Sequence, residues 1–251
     1  VKMYLSYITE EVALTIEIKQ TEDGYELIKR DSKQPVLYRD FPLIGSEKFY
    51  FPFTLNGFRL CPTEKRDNIP LNGEDNEEAK ENRTIIEHAV DTAIKFNEWL
   101  IAHNATNRYL LAFSRRPEPE VAYDERVALP WIKDLQSEWR RQLLSQPLTE
   151  TKNGVYELSE ISVPSFAGYG ESNAKSTNEK FFDLVDGFYL GRGQLPKKEH
   201  LQGWLDVLRP EYSTWNADLK YEKDDFLTDL ESAKSVSQLC SQLNKSEAEI
   251  Y

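Results

Sequence analysis

The sequence has little cysteine, little histidine and no long apolar run. Its 251 residues include two cysteines, Cys61 and Cys240, and three histidines, His88, His103 and His200. Two distant cysteines cannot form a disulfide framework or a four-cysteine zinc site, and the histidines lack the H-E-x-x-H spacing of zinc peptidases. No apolar segment reaches the roughly 18 residues that cross a bilayer. We therefore expect a cytoplasmic protein with reduced thiols, no metal site and no membrane partner.

Positive charge is also scarce. The chain carries 31 Lys and Arg residues against 43 Asp and Glu residues, which gives a net charge of −12. Binding to nucleic acid depends on a basic face that neutralises phosphates, so we expect no nucleic-acid partner. With 39% hydrophobic and 29% charged residues, the composition is typical of a folded globular protein.

The common catalytic and nucleotide-binding motifs are missing. The stretch GYGESNAKST has the residue types of a phosphate-binding loop, but such a loop needs a glycine directly before its Lys-Ser pair. Here Ala174 precedes Lys175. There is no G-x-S-x-G segment and no Cys/His pair at a catalytic spacing. We expect the chain by itself to have no catalytic residue and to bind no cofactor.

Alternating apolar residues near the N-terminus predict β-strands. Val12, Leu14, Ile16 and Ile18 recur at period two, which is the pattern of a strand with one buried face. The segments PVLYRDFPLIG and KFYFPFTL continue the pattern, with prolines that restrict them to sheet edges or strand ends. We expect residues 1–75 to be mostly strand.

Helical spacing of apolar residues replaces this alternation further along the chain. One helix is predicted over Glu78–His103, with acidic residues in its first turn, and a second over 128–145. The RRPEPE segment at 115–120 predicts a break between them. Both helices are expected to pack on the sheet through apolar stripes, which are Ile85, Ala89 and Ile94 on the first and Trp131, Leu135 and Trp139 on the second.

The second half of the chain predicts a different organisation. The Asn153-Gly154 pair between two alternating runs predicts a hairpin. Residues 161–178 are rich in Gly, Ser and Asn without periodicity, which predicts a flexible linker. Helical patterns fill 179–251. The expected fold is α+β, with a strand-rich α+β domain at 1–160, the linker, and a mainly α-helical lobe.

The segment NGFRLCPTEKRDNIPLNGE, Asn56–Glu74, brings three cations together in one polar loop after an apolar strand. These cations are Arg59, Lys65 and Arg66. One interpretation is a solvated turn between a strand and a helix. The other is an anion-contacting loop, because a cation on a rigid loop can stabilise a transferring phosphoryl group from a neighbouring domain. Spacing alone leaves both interpretations open.

A resemblance to a known protein family bears on the choice between a solvated turn and an anion-contacting loop. The segment FPLIGSEKFYFPFTLNGFRLCPTEKRDNIPL resembles the one that follows the nucleotide-binding domain in bacterial proteins with a sacsin-type, heat-shock-chaperone-like ATPase module of the GHKL class. The residues that carry the resemblance are Phe53, Leu55, Asn56, Gly57, Phe58, Pro62, Thr63, Glu64, Arg66 and Asp67. Less specific similarity in LPWIKDLQSEWRRQLLSQPLTET and LPKKEHLQGWLDVL extends the resemblance over most of residues 36–215.

The resemblance implies a multidomain parent protein whose upstream domain binds ATP and Mg²⁺. This chain would be the middle, transducer-like region, with a fold like that of ribosomal protein S5 domain 2. Without activity of its own, it would complete or sense the nucleotide site and relay conformational change to an unidentified client protein. The phosphate contact would be made by Arg66 first and Lys65 second. The supporting loop residues are Asn56, Gly57, Thr63, Glu64 and Asp67.

A second hypothesis has no link to ATP. An acidic α+β module with a helical second half could be a protein–protein interaction scaffold. A free-standing hydrolase is a third hypothesis, and no constellation of residues supports it. The first two differ in the sequence they expect upstream of Val1, because an ATP-binding domain of this class would carry an E-x-x-x-N helix followed by D-x-G and G-x-x-G motifs.

Overall fold

The structure is a computed structural model that describes residues 2–49, 51–114, 129–168, 171–191, 193–209, 211–215 and 217–250. About 45% of the chain is helix and 17% is strand, so the predicted α+β class is confirmed. Two compact units divide the chain, unit 1 at Val1–Leu148 and unit 2 at Thr149–Tyr251. The sequence had placed the end of the first domain at residue 160. The predicted break at 115–120 lies outside the described residues.

Unit 1 contains a mixed sheet of seven strands. The strands are β1 (Met3–Ile8), β2 (Val12–Gln20), β3 (Tyr25–Leu27), β4 (Leu37–Arg39), β5 (Phe41–Pro42), β6 (Thr54–Gly57) and β7 (Ala105–Thr106). Strand β2 is central because its residues pair on both edges, with Thr15 opposite Ser6 of β1 and Thr54 of β6. The β4–β6 and β3–β7 pairs are parallel, whereas the β1–β2, β2–β3, β2–β6 and β4–β5 pairs are antiparallel.

Strand β2 buries alternate residues, as the sequence predicts. Strands nevertheless cover less than half of residues 1–75, so the expectation of a mostly-strand segment was wrong in extent. Proline is one reason, because it has no N–H to donate to a sheet ladder. Pro35 and Pro52 accordingly lie outside the strands, in the connections that lead into β4 and β6.

The long helix α1 (Glu77–Ala102) packs against β2 and β6 of this sheet. It begins at Asn76, whose side-chain oxygen accepts a hydrogen bond from the Ala79 amide at 3.2 Å. An asparagine in this position satisfies one of the amides that a helix start leaves unpaired, and two acidic residues in the first turn complement the helix dipole. The helix lies within one residue of its predicted bounds at each end.

Helix α2 (Leu129–Leu144) follows in unit 1, and its buried face differs from the predicted stripe. Among the stripe residues, Ile85, Ala89 and Trp139 are buried, whereas Ile94, Trp131 and Leu135 are half-buried. The buried side chains of α2 are Ile132, Gln136, Trp139, Arg140 and Leu143. The Trp131 indole stays near the surface, where its Nε1 donates to the Glu87 carboxylate at 2.6 Å. The ring of Trp139 instead enters the core and contacts the Phe51 ring at 5.6 Å between centroids.

Unit 2 starts with the predicted hairpin. Its strands are β8 (Thr149–Thr151), β9 (Gly154–Tyr156), β10 (Val163–Pro164) and β11 (Lys220–Tyr221). Strands β8 and β9 pair antiparallel around the turn, where Gly154 has φ +135°. Glycine adopts this backbone conformation without the steric cost that a side chain would add. Strands β10 and β11 form a separate parallel pair.

Helices make up most of the remaining described structure of unit 2. They are α3 (Ala174–Phe188), α4 (Leu201–Leu208), α5 (Lys223–Ser232), α6 (Val236–Leu243) and α7 (Glu247–Ile250). Helix α3 begins at Ala174, so its first residues lie inside the segment predicted as linker. Phe181 and Val185 of this helix pack with Tyr221 and Phe226. Of the helices described in the two units, none is both long and apolar enough to cross a membrane.

Candidate functional site

The loop between β6 and α1 contains the cations that the sequence analysis singled out. Its first anchor is Gly57, the last residue of β6. A Cβ atom at this position would lie 2.6 Å from the Leu60 Cγ and 3.0 Å from the Ile85 Cγ2. Only glycine therefore fits without displacing neighbours, because the strand end, the start of the loop and helix α1 meet closely here.

The second anchor is Asn82, a fully buried residue of α1. Its side-chain oxygen accepts from the Cys61 amide at 2.7 Å, and its Nδ2 donates to the carbonyls of Cys61 at 3.0 Å and Pro70 at 2.9 Å. One buried amide thus ties the two ends of the loop to the same point on the helix. Buried polar groups that lose such partners cost about 1–3 kcal/mol each, so this connection holds the loop firmly.

Further contacts fix the descending half of the loop. The Arg83 Nη1 donates to the Leu71 carbonyl at 2.6 Å. The side chains of Ile69 and Leu71 are buried, which removes their apolar surface from water. The segment after the cations is therefore part of the packed structure of unit 1.

The tip of the loop is a hydrogen-bonded turn. The Arg66 amide donates to the Thr63 carbonyl at 2.9 Å, which closes the turn over Glu64 and Lys65. The Thr63 hydroxyl donates to the Asp67 carboxylate at 2.6 Å and accepts from the Asp67 amide at 3.3 Å. Thr63 and Asp67 therefore set the conformation of the turn.

The tip of the loop is connected to the neighbouring strands through Asn56, Gly45 and Asp40. The Asn56 side-chain oxygen accepts from the Asp40 amide at 3.1 Å, which fixes the turn between β4 and β5. A Cβ atom on Gly45, which has φ +109°, would lie 2.6 Å from the Asp67 carbonyl oxygen. The loop therefore lies directly against the segment that follows β5.

Arg66 has an exposed side chain but a defined conformation. Its backbone is left-handed, with φ 54°, a region that costs most residues about 1 kcal/mol or more. Its Nη2 donates to the Arg39 carbonyl at 2.8 Å, and the guanidinium lies 5.9 Å from the centroid of the Phe41 ring. The Phe41 side chain is itself 68% exposed.

The three cations of the loop have different surroundings. Arg59 makes ion pairs with Glu11 at 3.1 Å and with Glu81 at 3.6 Å, so its charge is neutralised locally. Lys65 is exposed at the centre of the turn and makes no ion pair with the described residues. Among the described residues, the Arg66 guanidinium contacts the Arg39 carbonyl and the Phe41 ring, and it makes no ion pair with them. The structure brings Lys65 and Arg66 together at the tip and separates Arg59 from them.

Residue patterns did not identify Asn82 and Arg83 as loop anchors. A signal was present for Asn82, which lies three and four positions before Ile85 and Ile86 on the buried face of α1. The loop also contains Cys61, and burial together with the nearby Glu81 and Glu78 carboxylates raises the pKa of its thiol. A raised pKa lowers the thiolate fraction, so this cysteine is poorly suited to be a nucleophile.

None of the protein-family models, curated proteins or solved structures compared with the chain matches it. Across the described residues, no group of three or more His, Cys, Asp and Glu side chains is arranged to hold a metal ion. The candidate site is therefore defined by its own geometry, as a rigid loop with two exposed cations at its tip.

Proposed function

We propose that this chain is a non-catalytic module of a larger GHKL-type, chaperone-like ATPase of the cytoplasm. In this proposal the tip of the loop meets the phosphates of ATP–Mg²⁺ held by an upstream ATP-binding domain. Unit 1 then corresponds to the transducer-like region with a fold like ribosomal protein S5 domain 2. The module completes or senses the nucleotide site and relays its state to a client protein.

One observation carries the proposal: Lys65 and Arg66 are exposed on a turn whose base is held by Asn82 and Arg83 of α1. Long cationic side chains on a mobile surface loop lose entropy whenever they meet an anion. A turn fixed by hydrogen bonds and buried anchors reduces that loss, and preorganised charge is what stabilises a phosphoryl transition state.

Arg66 is the better candidate for the phosphate contact. Its guanidinium can bind two phosphate oxygens at once, which an ammonium group cannot do with the same geometry. To reach a phosphate it must leave the Arg39 carbonyl and the Phe41 ring. Both contacts are exposed to solvent and neither provides a negative charge, so a phosphate, which does, can replace them.

The decisive measurement is steady-state ATP hydrolysis by the full-length parent protein. We expect Arg66→Ala to lower kcat by about a hundredfold or more while the Kd for ATP changes little, as for an arginine that acts in the transition state. Lys65→Ala tests the second candidate, and Lys133→Ala, an exposed lysine on α2, is the matched control. If both loop variants hydrolyse ATP like the wild type, the loop is a structural turn and the proposal fails.

The chain without its upstream domain should not bind ATP tightly, because the described residues provide no phosphate-binding loop. Isothermal titration of the 251-residue chain with ATP–Mg²⁺ measures this directly. Micromolar binding would contradict the proposal that the upstream domain, and not this chain, holds ATP.

A second candidate function is an acidic protein-interaction scaffold with no link to ATP. The observation in its favour is that Phe41 and Ile44 are 68% and 66% exposed beside the loop. Exposed apolar side chains next to a cation are typical of contact sites for another protein. In this case Phe41→Ala would weaken a partner complex, and Arg66→Ala would have no effect on any ATP hydrolysis measured for the parent.

A further inference from the structure

Strand β1 lies at an edge of the unit 1 sheet. It pairs with β2 along its whole length, and among the described strands β2 is its only partner. On the face of the sheet that α1 covers, the Tyr7 ring lies 5.5 Å from the Phe96 ring between centroids. The other face carries three exposed residues of β1, Tyr4, Ser6 and Ile8, which we call the edge residues.

The backbone hydrogen bonds show which residues of β1 face the open edge. The Thr9 amide donates to the Val12 carbonyl at 2.9 Å, and in an antiparallel ladder the hydrogen-bonded positions recur at every second residue. In the register of β1 and β2, these positions are Met3, Leu5 and Tyr7. The N–H and C=O groups of the edge residues therefore point away from β2, to the side where no described strand pairs with them.

Strand β1 lacks the features that normally protect a sheet edge, which are charged side chains, prolines, bulges and short length. Its six residues contain no charged residue and no proline, in a chain with 29% charged residues, and its pairing with β2 is continuous. The other described ends of the sheet, β5 and β7, are two residues long, and β5 contains Pro42. In β1, by contrast, Tyr4 is 48% and Ile8 is 67% exposed. Strand β1 is thus suited to pair with a strand of another chain.

We propose that β1 pairs antiparallel with β1 of a second copy of this chain, with Ser6 at the two-fold axis. This register places Tyr4 opposite Ile8 of the second copy and Ser6 opposite Ser6, so it uses all three edge residues. Each of these pairs exchanges two backbone hydrogen bonds, which gives about six in total. A contact between identical surfaces closes at two copies, so we expect a dimer.

The side chains of β1 are complementary to themselves in this register. On the exposed face, Tyr4 and Ile8 form cross-strand pairs of an aromatic and a β-branched side chain, which stabilise antiparallel sheets. On the opposite face, Leu5 lies opposite Tyr7 of the second copy, and both are half-buried in one copy alone. Pairing therefore covers apolar surface on both faces of the sheet.

The charges at the two ends of β1 favour the antiparallel direction. Lys2 precedes the strand, Glu10 lies in the turn that follows it, and both are exposed. Antiparallel pairing brings Lys2 of one copy close to Glu10 of the other, where opposite charges attract. Parallel pairing would instead bring like charges together at both ends.

The predicted contact is weak. One strand from each copy buries less surface than a standard interface, and the net charge of −12 on each copy opposes association. We therefore expect a Kd on the order of 10–100 µM at physiological ionic strength.

The test combines sedimentation with amide hydrogen exchange on the 251-residue chain, from about 5 µM to about 500 µM. We expect mostly monomer at the low concentration and mostly dimer at the high one. Exchange of the edge-residue amides, resolved by mass spectrometry with fragmentation, should slow by about fourfold to tenfold as the dimer forms. The Leu5 and Tyr7 amides, which face β2, should be protected at both concentrations. A monomer throughout, or a dimer whose edge amides exchange as in the monomer, would overturn the proposal.

Two variants at one position separate strand pairing from any other contact. Ser6→Pro removes an N–H that points to the open edge, a place where an edge strand tolerates proline, and it should prevent dimerisation. Ser6→Ala loses the same side-chain contact with the Thr15 hydroxyl at 2.8 Å but keeps the N–H, so it should dimerise like the wild type. A folded Ser6→Pro chain that still dimerises would refute the proposal.

A mixing experiment tests the register and decides the question even if Ser6→Pro does not fold. Tyr4→Lys and Ile8→Glu are substitutions at exposed positions, which usually change stability little. Each variant alone should dimerise more weakly than the wild type. An equimolar mixture should form heterodimers at least about fivefold more tightly than either variant self-associates, because the proposed register places position 4 of one copy opposite position 8 of the other. A mixture without this gain would contradict the register. The outcome is independent of ATP hydrolysis by the parent.

Discussion

The two units place their notable cations in opposite environments. In unit 1, Lys65 and Arg66 project into solvent from a loop with buried anchors. In unit 2, Arg209 is withdrawn from solvent beside a cavity, and a serine hydroxyl is its hydrogen-bond partner among the described side chains. A hydrated cation has no desolvation cost, whereas burying a cation costs several kcal/mol of desolvation free energy unless an anion pairs with it. The first arrangement leaves both charges accessible to a ligand, whereas the second keeps its charge inside the unit.

The largest effect should come from removing the anchor beneath the exposed cations. Asn82→Ala leaves the Cys61 amide and two carbonyls without their partner in a buried place, so we expect unit 1 to lose about 3 kcal/mol of unfolding free energy. Native-state hydrogen exchange of α1 amides measures this for the unit alone. Thr84→Ala, on the exposed face of the same helix, is the control and should change stability by less than about 0.5 kcal/mol.

If Asn82→Ala had the same stability as Thr84→Ala, the loop would not depend on its helix anchor. Its two exposed cations would then stand on an ordinary surface turn. The statement that unit 1 presents its exposed cations on a loop with buried anchors would then be wrong.

The buried arginine should give a smaller effect with the opposite sign. We expect Arg209→Met to raise the unfolding free energy of unit 2 by about 1 kcal/mol, because a side chain of similar size replaces a buried charge that has no ion pair with the described residues. Hydrogen exchange of α4 amides reports this change, and Arg66→Met in unit 1 is the counterpart that should show none. A loss of stability in Arg209→Met would mean that the guanidinium mainly supports the fold through Ser165.

The smallest effect should come from the exposed arginine. Arg66→Ala removes one exposed hydrogen bond to the Arg39 carbonyl and the contact with Phe41, so we expect a change within about 0.5 kcal/mol. Arg66→Gly should be more stable than Arg66→Ala by up to about 1 kcal/mol if the left-handed backbone is strained, since glycine adopts it freely. Thermal unfolding of the two variants side by side measures the difference. A large loss in both would identify Arg66 as a structural residue.

Local patterns predicted the elements that depend on neighbours in sequence. The apolar spacing of α1, the alternation in β2 and the Asn153-Gly154 hairpin are determined by residues a few positions apart, and all three are present in the structure. The extent of strand near the N-terminus was overestimated, because apolar content there reflects burial in turns as well as in strands. In α2 the apolar stripe was misplaced, since Trp131 has a polar atom that remains near the surface.

The candidate sites were harder to predict because they depend on contacts between distant segments. The sequence placed Lys65 and Arg66 in one polar loop, but it did not identify the Asn82 anchor, which joins residues about twenty positions apart. The Arg209–Ser165 contact joins residues that are 44 positions apart. No periodicity links such residues. Most arginines are exposed, and the residue type alone does not show which arginine is buried.

Helix α1 has a mechanical consequence for unit 1. Its 26 residues span about 39 Å at about 1.5 Å per residue. Near one end of the helix, the Asn82 side chain forms hydrogen bonds with the loop. Just beyond the other end, the Asn104 side chain donates to the Asp23 carbonyl in the β2–β3 turn at 3.0 Å. One continuous helix therefore connects the cationic loop to the β2–β3 turn. If a bound phosphate displaces the cationic tip, we expect α1 to be the element through which the β2–β3 turn responds, because both are hydrogen-bonded to it or to the residues directly after it.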